Sequence, residues 1–249
     1  MIEIINLCKS FGNQKVLDNV NLTINTGETT VIIGRSGCGK SVLLKHIIGL
    51  MKPDSGQIFI DGKDITKLYG KALNETRMKF GMLFQNSALF DSLPVWANVA
   101  FSMLEHTTRT RPAIMHRVRE CLGFVGLEGV EDLKPAALSG GMRKRVGLAR
   151  CIAFKPEIIL YDEPTTGLDP IMADSINTLI RGLHDKLKIT SVAVTHDMTS
   201  AYKMADKVAM LYGGKIIAVG TPEEVKNTKN PIVKQFIYGE AEGPITRNT

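Results

Sequence analysis

Polar and apolar positions alternate near the N-terminus, where Val20, Leu22 and Ile24 are separated by polar residues and the turn Thr26-Gly27 follows. Residues 1–30 therefore predict β-structure, with Phe11-Gly12 in a loop. The continuous run Val31-Ile32-Ile33 reads as a buried strand, and Val42-Leu43-Leu44-Lys45-His46-Ile47-Ile48 as a helix. A turn at Lys52-Pro53-Asp54-Ser55-Gly56 leads to alternating Ile58 and Ile60 and the turn Asp61-Gly62, which predicts a small sheet beside the central one. Gly81-Met82-Leu83-Phe84-Gln85 is a short apolar strand ending in an amide, and residues 86–150 predict mainly helix with a polar loop at 105–112. Their composition differs from the strands on either side, so they form a helical subdomain. Ile158-Ile159-Leu160-Tyr161 and Ser191-Val192-Ala193-Val194-Thr195 are strands of the buried kind. Between them Met172, Ile176, Leu179, Ile180, Leu183 and Leu187 recur at helical spacing, and residues 208–219 predict a hairpin turning at Gly213-Gly214. Strands alternating with helices predict an α/β fold with a mostly parallel sheet. There is no internal repeat and no low-complexity segment.

Composition narrows this picture only a little. A chain of 249 residues with 44% apolar and 22% charged positions can bury a sizeable core. The net charge of +6 would permit contact with nucleic acid, an anionic membrane or nucleotide, but the basic residues are scattered, which argues against a nucleic-acid surface. Cys8, Cys38, Cys121 and Cys151 form no C-x-x-C pair and no metal spacing with histidine, so reduced, structural thiols are expected. No apolar run is long enough for a membrane span and no signal-peptide pattern opens the chain. The expectation is a soluble, cytoplasmic protein whose membrane role, if any, comes through a partner.

The chemistry concentrates in a few stretches. Gly34-Arg35-Ser36-Gly37-Cys38-Gly39-Lys40-Ser41 lies between a strand and a helix, the context in which a glycine-rich loop turns its backbone N–H groups toward a phosphate. The following helix adds its positive end. In this pattern Lys40 reaches the β- and γ-phosphates, and Ser41 offers its hydroxyl to Mg²⁺. Cys38 within the loop makes nucleotide binding sensitive to alkylation. The strand 158–161 delivers Asp162 and Glu163 at its carboxyl end, where Asp162 would hold Mg²⁺ and Glu163 would act as general base on the attacking water. His196 follows the last core strand and could bond the γ-phosphate or steady the water; histidines 46, 106, 116 and 184 have no such setting. Gln85 could orient the water or bind the metal. A second glycine pair, in Leu138-Ser139-Gly140-Gly141-Met142 before Arg143-Lys144-Arg145, makes another anion site. One nucleotide needs only one phosphate loop, which predicts a head-to-tail dimer whose second segment closes on the partner's γ-phosphate.

Taken together these motifs resemble the ATP-binding-cassette (ABC) family over essentially the whole chain. The resemblance implies a P-loop NTPase fold with an N-terminal antiparallel β-subdomain and an inserted helical subdomain, one domain over residues 1–239 and a tail over 240–249. It makes residues 34–41 the Walker A motif, 158–162 Walker B, Gln85 the Q-loop amide, 138–142 the signature, Gly167-Leu168-Asp169 the D-loop and His196 the switch histidine. Phe11 takes the place of the aromatic that stacks on adenine, and needs only its ring face to do so. Nucleotide contacts would come from Phe11, Gly34, Arg35, Ser36, Gly37, Cys38, Gly39, Lys40 and Ser41, with Ser139, Gly140 and Gly141 from the partner chain. Catalysis would fall to Glu163, His196 and Gln85, and Mg²⁺ to Ser41, Gln85 and Asp162. Met142 departs from the family's usual glutamine. That departure, the stretch 88–99 and the C-terminal stretches Gln235-Phe236-Ile237-Tyr238-Gly239 and Glu242-Gly243-Pro244-Ile245 are similar to the ATPases that power MCE-type lipid transporters, including the Mla phospholipid system of Gram-negative envelopes.

The expected function is thus an ATP-hydrolysing subunit, homodimeric, on the cytoplasmic face of the inner membrane, energising phospholipid transport that maintains outer-membrane lipid asymmetry. Its implied partners are a membrane permease, an MCE-domain substrate-binding protein and a small regulatory subunit, with no nucleic acid. An importer for amino acids or ions has the same chemistry and stays open, as does a non-transport ABC ATPase acting on nucleic acid or the ribosome. In the otherwise polar tail, Phe236, Ile237 and Tyr238 are expected to pack on the partner subunit.

Overall fold

The structure, a computed structural model, describes residues 1–247. In chain order its strands are β1 (Ile2–Phe11), β2 (Gln14–Ile24), β3 (Thr29–Ile33), β4 (Ser55–Ile60), β5 (Lys63–Asp64), β6 (Phe80–Leu83), β7 (Ile158–Asp162), β8 (Thr190–Thr195), β9 (Lys207–Tyr212) and β10 (Lys215–Gly220). The α-helices are α1 (Lys40–Ile47), α2 (Gly70–Arg77), α3 (Val95–His106), α4 (Arg111–Phe124), α5 (Gly140–Ala153), α6 (Pro170–Leu187), α7 (Met198–Met204), α8 (Pro222–Lys226), α9 (Pro231–Tyr238) and α10 (Pro244–Arg247). They group into two compact units, one of Met1–Arg77 with the chain from Thr190 onward, the other of Met78–Ile189.

In the first unit an antiparallel sheet runs in the order β2-β1-β4-β5. Strict alternation along β1 would bury Ile2 and Ile4 and expose Leu7, yet all three are buried. The register with β2 shifts between Ile4 and Leu7, where Asn6 has φ 49°. Asn19 of β2 has φ 51° and likewise changes the phase between buried Leu17 and Val20. Asparagine tolerates the left-handed region, so each bulge re-aims the strand without a glycine. The Asn6 backbone N–H donates to Asn21 Oδ1 at 2.9 Å, and Asn21 Nδ2 to Asn6 Oδ1 at 3.0 Å. Phe11, expected in a loop, is the last residue of β1; the turn itself is Gly12-Asn13.

A parallel group in the same unit has β3 between β8 and β9, with Ile33 opposite Thr195 on one side and Met210 on the other. Every residue of β3 and β8 is buried, as a parallel strand covered on both faces requires. The hairpin β9–β10 turns at Gly213-Gly214, where the sequence places it. The C-terminal stretch folds on itself. Gln235, 3% exposed, accepts from the Ile245 N–H at 2.7 Å through Oε1 and donates through Nε2 to the Glu240 carbonyl at 3.1 Å. Ile245 and Val233 are buried there, Phe236 and Ile237 half-buried, and only Tyr238 of that cluster is exposed. Phe236 and Ile237 thus keep part of their surface open and Tyr238 most of it.

The second unit holds the parallel pair β6–β7, from Phe80 opposite Ile158 to Leu83 opposite Tyr161, and the helices α3 to α6. The polar interruption expected at 105–112 is shorter: α3 runs on through His106 and α4 begins at Arg111, with Pro112 in the first turn, where a missing N–H costs nothing. Residues 86–94 are turns rather than helix. Asn98, fully buried, holds them: its Oδ1 accepts from the Phe90 N–H at 2.7 Å and its Nδ2 donates to the Phe90 and Leu93 carbonyls at 3.1 and 3.0 Å. Buried Arg117 of α4 donates to the Ala153 and Ile152 carbonyls at 3.1 and 2.6 Å, satisfying the C-terminal end of α5. A glycine joins strand and helix. A Cβ at Gly81 of β6 would lie 2.5 Å from the Cys151 carbonyl oxygen of α5.

Candidate active site

The first unit carries the phosphate loop. It leaves β3 at Gly34, where a Cβ would lie 2.5 Å from the Leu211 carbonyl oxygen and 2.8 Å from Cys38 Sγ, so no larger residue can start the turn. Gly39, at φ 104°, ends it and is the N-cap of α1. The first turn of α1 carries no acidic side chain, so its positive pole is left for an external anion. Lys40 is 5% exposed and folds back over the loop, donating to the Gly34 and Arg35 carbonyls at 2.9 and 3.0 Å. Its ammonium is thus held against the first two residues of the loop. Arg35, Ser36 and Gly37 form the exposed rim, and Ser41 is half-buried in the helix's first turn. Thr195 pairs with Ile33, so exposed His196 leaves β8 level with the start of the phosphate loop on the neighbouring strand. The next residue, Asp197, caps α7 by accepting from the Thr199 and Ser200 N–H groups at 3.1 and 3.0 Å. Phe11 is 46% exposed, with Lys9 Nζ 5.7 Å from its ring centroid.

The second unit carries the carboxylates, the amide and the second glycine pair. Buried Asp162 ends β7 and buried Glu163 follows at φ 48°, a left-handed conformation that costs a side-chain-bearing residue about 1–2 kcal/mol. Glu163 Oε2 accepts from Thr166 Oγ1 at 3.2 Å. Gln85 lies two residues past the end of β6, its side chain exposed on a turn. Ser139 is the N-cap of α5, with its Oγ accepting from the Met142 N–H at 3.2 Å; Ser139 and Gly140 are exposed, while Gly141 packs so closely on Met172 that a Cβ would meet its methyl. Asp169 caps α6, accepting from the Ile171 and Met172 N–H groups at 3.0 Å each.

One residue at this end of the unit was not singled out by the motifs. Lys144, 5% exposed, makes a short hydrogen bond of 2.5 Å to the Gln85 carbonyl and lies 3.4 Å from that of Glu163. Burial holds its ammonium below the ordinary lysine range, and the charges of Asp162 and Glu163 pull the other way. The sequence does hold a signal. Gly141, Lys144, Leu148 and Cys151 follow one another on the buried stripe of α5, and a lysine in such a stripe needs a polar partner.

Residues 17–166 match the ABC transporter family model. The chain belongs to the ABC transporter family. It is 42% identical, over 98% of its length and 93% of that protein, to the intermembrane phospholipid transport system ATP-binding protein MlaF of Haemophilus influenzae. It is 43% identical, over 98% of its length and 68% of that protein, to the probable ribonucleotide transport ATP-binding protein mkl of Mycobacterium tuberculosis. Among solved structures, a dimeric ATP-binding cassette in a post-hydrolysis state with ADP and Pi superposes with a TM-score of 0.82 at 33% identity, covering 89% of this chain and 99% of that one. The fold is that of the ABC ATPases, an α/β P-loop NTPase, and the activity is ATP hydrolysis coupled to transport. Among the described residues no helix is long and apolar enough to cross a membrane.

Proposed function

We propose that the chain is the ATPase subunit of a phospholipid transporter, working as a homodimer on the cytoplasmic face of an inner membrane. The observation that carries this reading is the likeness to MlaF, which spans 93% of that protein and therefore leaves little of it unmatched. The name of mkl points instead to ribonucleotides, but only 68% of that protein is matched. An amino-acid or ion importer would use the same ATPase.

In this reading Lys40 and the loop from Gly34 to Gly39 hold the phosphates, and Phe11 stacks on adenine. Glu163 removes a proton from the attacking water, Gln85 orients that water, and His196 bonds the γ-phosphate. Mg²⁺ supplies charge neutralisation for the phosphates when bound, with Ser41, Asp162 and Gln85 as its protein contacts. Ser139, Gly140 and Gly141 act on the nucleotide of the partner subunit, and the exposure of Ser139 and Gly140 in the single chain supports that role. A permease receives the resulting motion; an MCE-domain protein and a small regulatory subunit complete the proposed assembly.

The Glu163→Gln variant tests the chemistry. It is expected to bind ATP like the wild type, to turn over about 10²–10⁴-fold more slowly, and to accumulate as an ATP-bound dimer in size-exclusion chromatography. Normal phosphate release by this variant would remove Glu163 from the role of base. The substrate is tested by purifying the chain with its partners from detergent-solubilised native membranes, then identifying proteins and lipids by mass spectrometry. A permease with an MCE-domain protein and phospholipid is the expected result. A permease carrying nucleotides, amino acids or ions would move the substrate while keeping the ATPase, and ribosomes or DNA without a membrane protein would end the transport reading.

A further inference from the structure

Lys144 joins three pieces of the second unit at one atom. It sits one turn inside α5, whose first residues are the exposed Gly140 and the packed Gly141. Its Nζ bonds the Gln85 carbonyl and lies 3.4 Å from the Glu163 carbonyl. It does not touch the side chains of those two residues in these contacts; it holds their backbones. Both backbones need holding. Glu163 is in a left-handed conformation that other contacts must maintain, and Gln85 opens a turn in which Ser87 and Ala88, two and three residues on, also have positive φ, 58° and 44°. A buried ammonium is costly unless its donors are used, so a lysine kept here at 5% exposure needs a return for that cost.

We propose that Lys144 is a positioning residue for hydrolysis, tying the signature end of α5 to the Gln85 turn and to the Glu163 backbone. When Ser139 and Gly140 engage a nucleotide, a shift of α5 is passed through Lys144 to both residues at once. The alignment of base and water-orienting amide then follows closure of the dimer. The inference rests on the proposed roles of Glu163 and Gln85. Lys144 itself acts on the rate of the chemical step and contributes little to ATP affinity.

The test uses the full chain with Lys144→Met, which keeps most of the unbranched stem and removes charge and donors, beside Lys144→Arg, which restores both. Lys144→Gln is the second neutral variant should Lys144→Met not fold, and is expected to show the same pattern. Phosphate release, binding of a fluorescent ATP analogue and ATP-dependent dimerisation are measured for each. Lys144→Met is expected to lower kcat by about tenfold or more while nucleotide Kd stays within about twofold and dimers still form with ATP, with Lys144→Arg recovering most of the rate. In a Gln85→Ala background, Lys144→Met should cost much less than in the wild type, because the group it positions is gone. An unchanged kcat, or a loss of ATP binding and dimerisation equal to the loss of rate, would overturn the proposal. Glu163→Gln is run in parallel: if it hydrolyses normally, the reading of Glu163 fails; if it is inactive while Lys144→Met is normal, only the present inference fails.

Discussion

Lys40 and Lys144 are both 5% exposed, yet a reader of the sequence sees only the first. Lys40 is announced by the glycines before it and by its place at the head of a helix, and the structure finds its ammonium bonded to the carbonyls of Gly34 and Arg35. A phosphate placed at the same loop would exchange those two neutral acceptors for charged ones, which bind an ammonium more strongly. Lys40→Ala should therefore lower ATP affinity by about 2–3 kcal/mol, roughly 30- to 150-fold in Kd, in a fluorescent-nucleotide titration. Affinity equal to the wild type would remove Lys40 from the phosphate site. Lys144 is hidden among Arg143 and Arg145, where a basic triplet reads as a solvated helix face. The same mask covers Arg117, whose place among buried Ile114, Val118 and Cys121 on α4 marks it as inward-facing once the helix phase is fixed. Residue motifs are legible because chemistry constrains spacing; Lys144 and Arg117 belong to no spaced motif and show only in the phase of the buried stripes of α5 and α4.

Elements with one strong period stand where the sequence predicts them, and those that depend on tertiary contact do not. The helix at 170–187 and the buried strands at 158–162 and 190–195 stand close to where periodicity puts them. The phase change in β1 depends on Asn6 taking φ 49°, and nothing in a run of alternating residues announces it. The turns at 86–94 depend on Asn98 from the following helix. Close packing of β6 on α5 is a third feature of this kind, with a glycine on each element at the contact. A Cβ at Gly81 would meet backbone, the Cys151 carbonyl at 2.5 Å, whereas a Cβ at Gly147 would meet the flexible Leu83 Cδ1 at 2.7 Å. Gly81→Ala must push strand and helix apart and should destabilise by about 1–3 kcal/mol, lowering Tm by several degrees. Gly147→Ala can turn Leu83 aside and gains about 1 kcal/mol of helix propensity, so its loss should be clearly smaller in the same melting experiment. Equal losses would mean that the α5–β6 distance is not set at Gly81.

At the scale of the whole molecule the two anion-binding segments have different consequences for assembly. The phosphate loop is built into β3 and α1, while Ser139 and Gly140 project, exposed, from the cap of α5. If each ATP is held by the loop of one chain and the Ser139 segment of the other, a defect in either segment disables both sites of a symmetric dimer. Lys40→Ala and Ser139→Arg homodimers should therefore both be inactive. Mixed dimers behave differently. Pairing one chain of each kind puts both substitutions in one site and leaves the other with an unaltered loop and an unaltered signature segment. Denaturing and refolding the two variants together, or co-expressing them, should restore ATP hydrolysis to about one quarter of the wild-type level if the chains pair at random and the sites work independently. Were the loop and the Ser139 segment of a single chain to serve the same nucleotide, every dimer in the mixture would contain only broken sites. Phosphate release from the mixture thus decides whether the signature segment acts within its own chain or across to its partner.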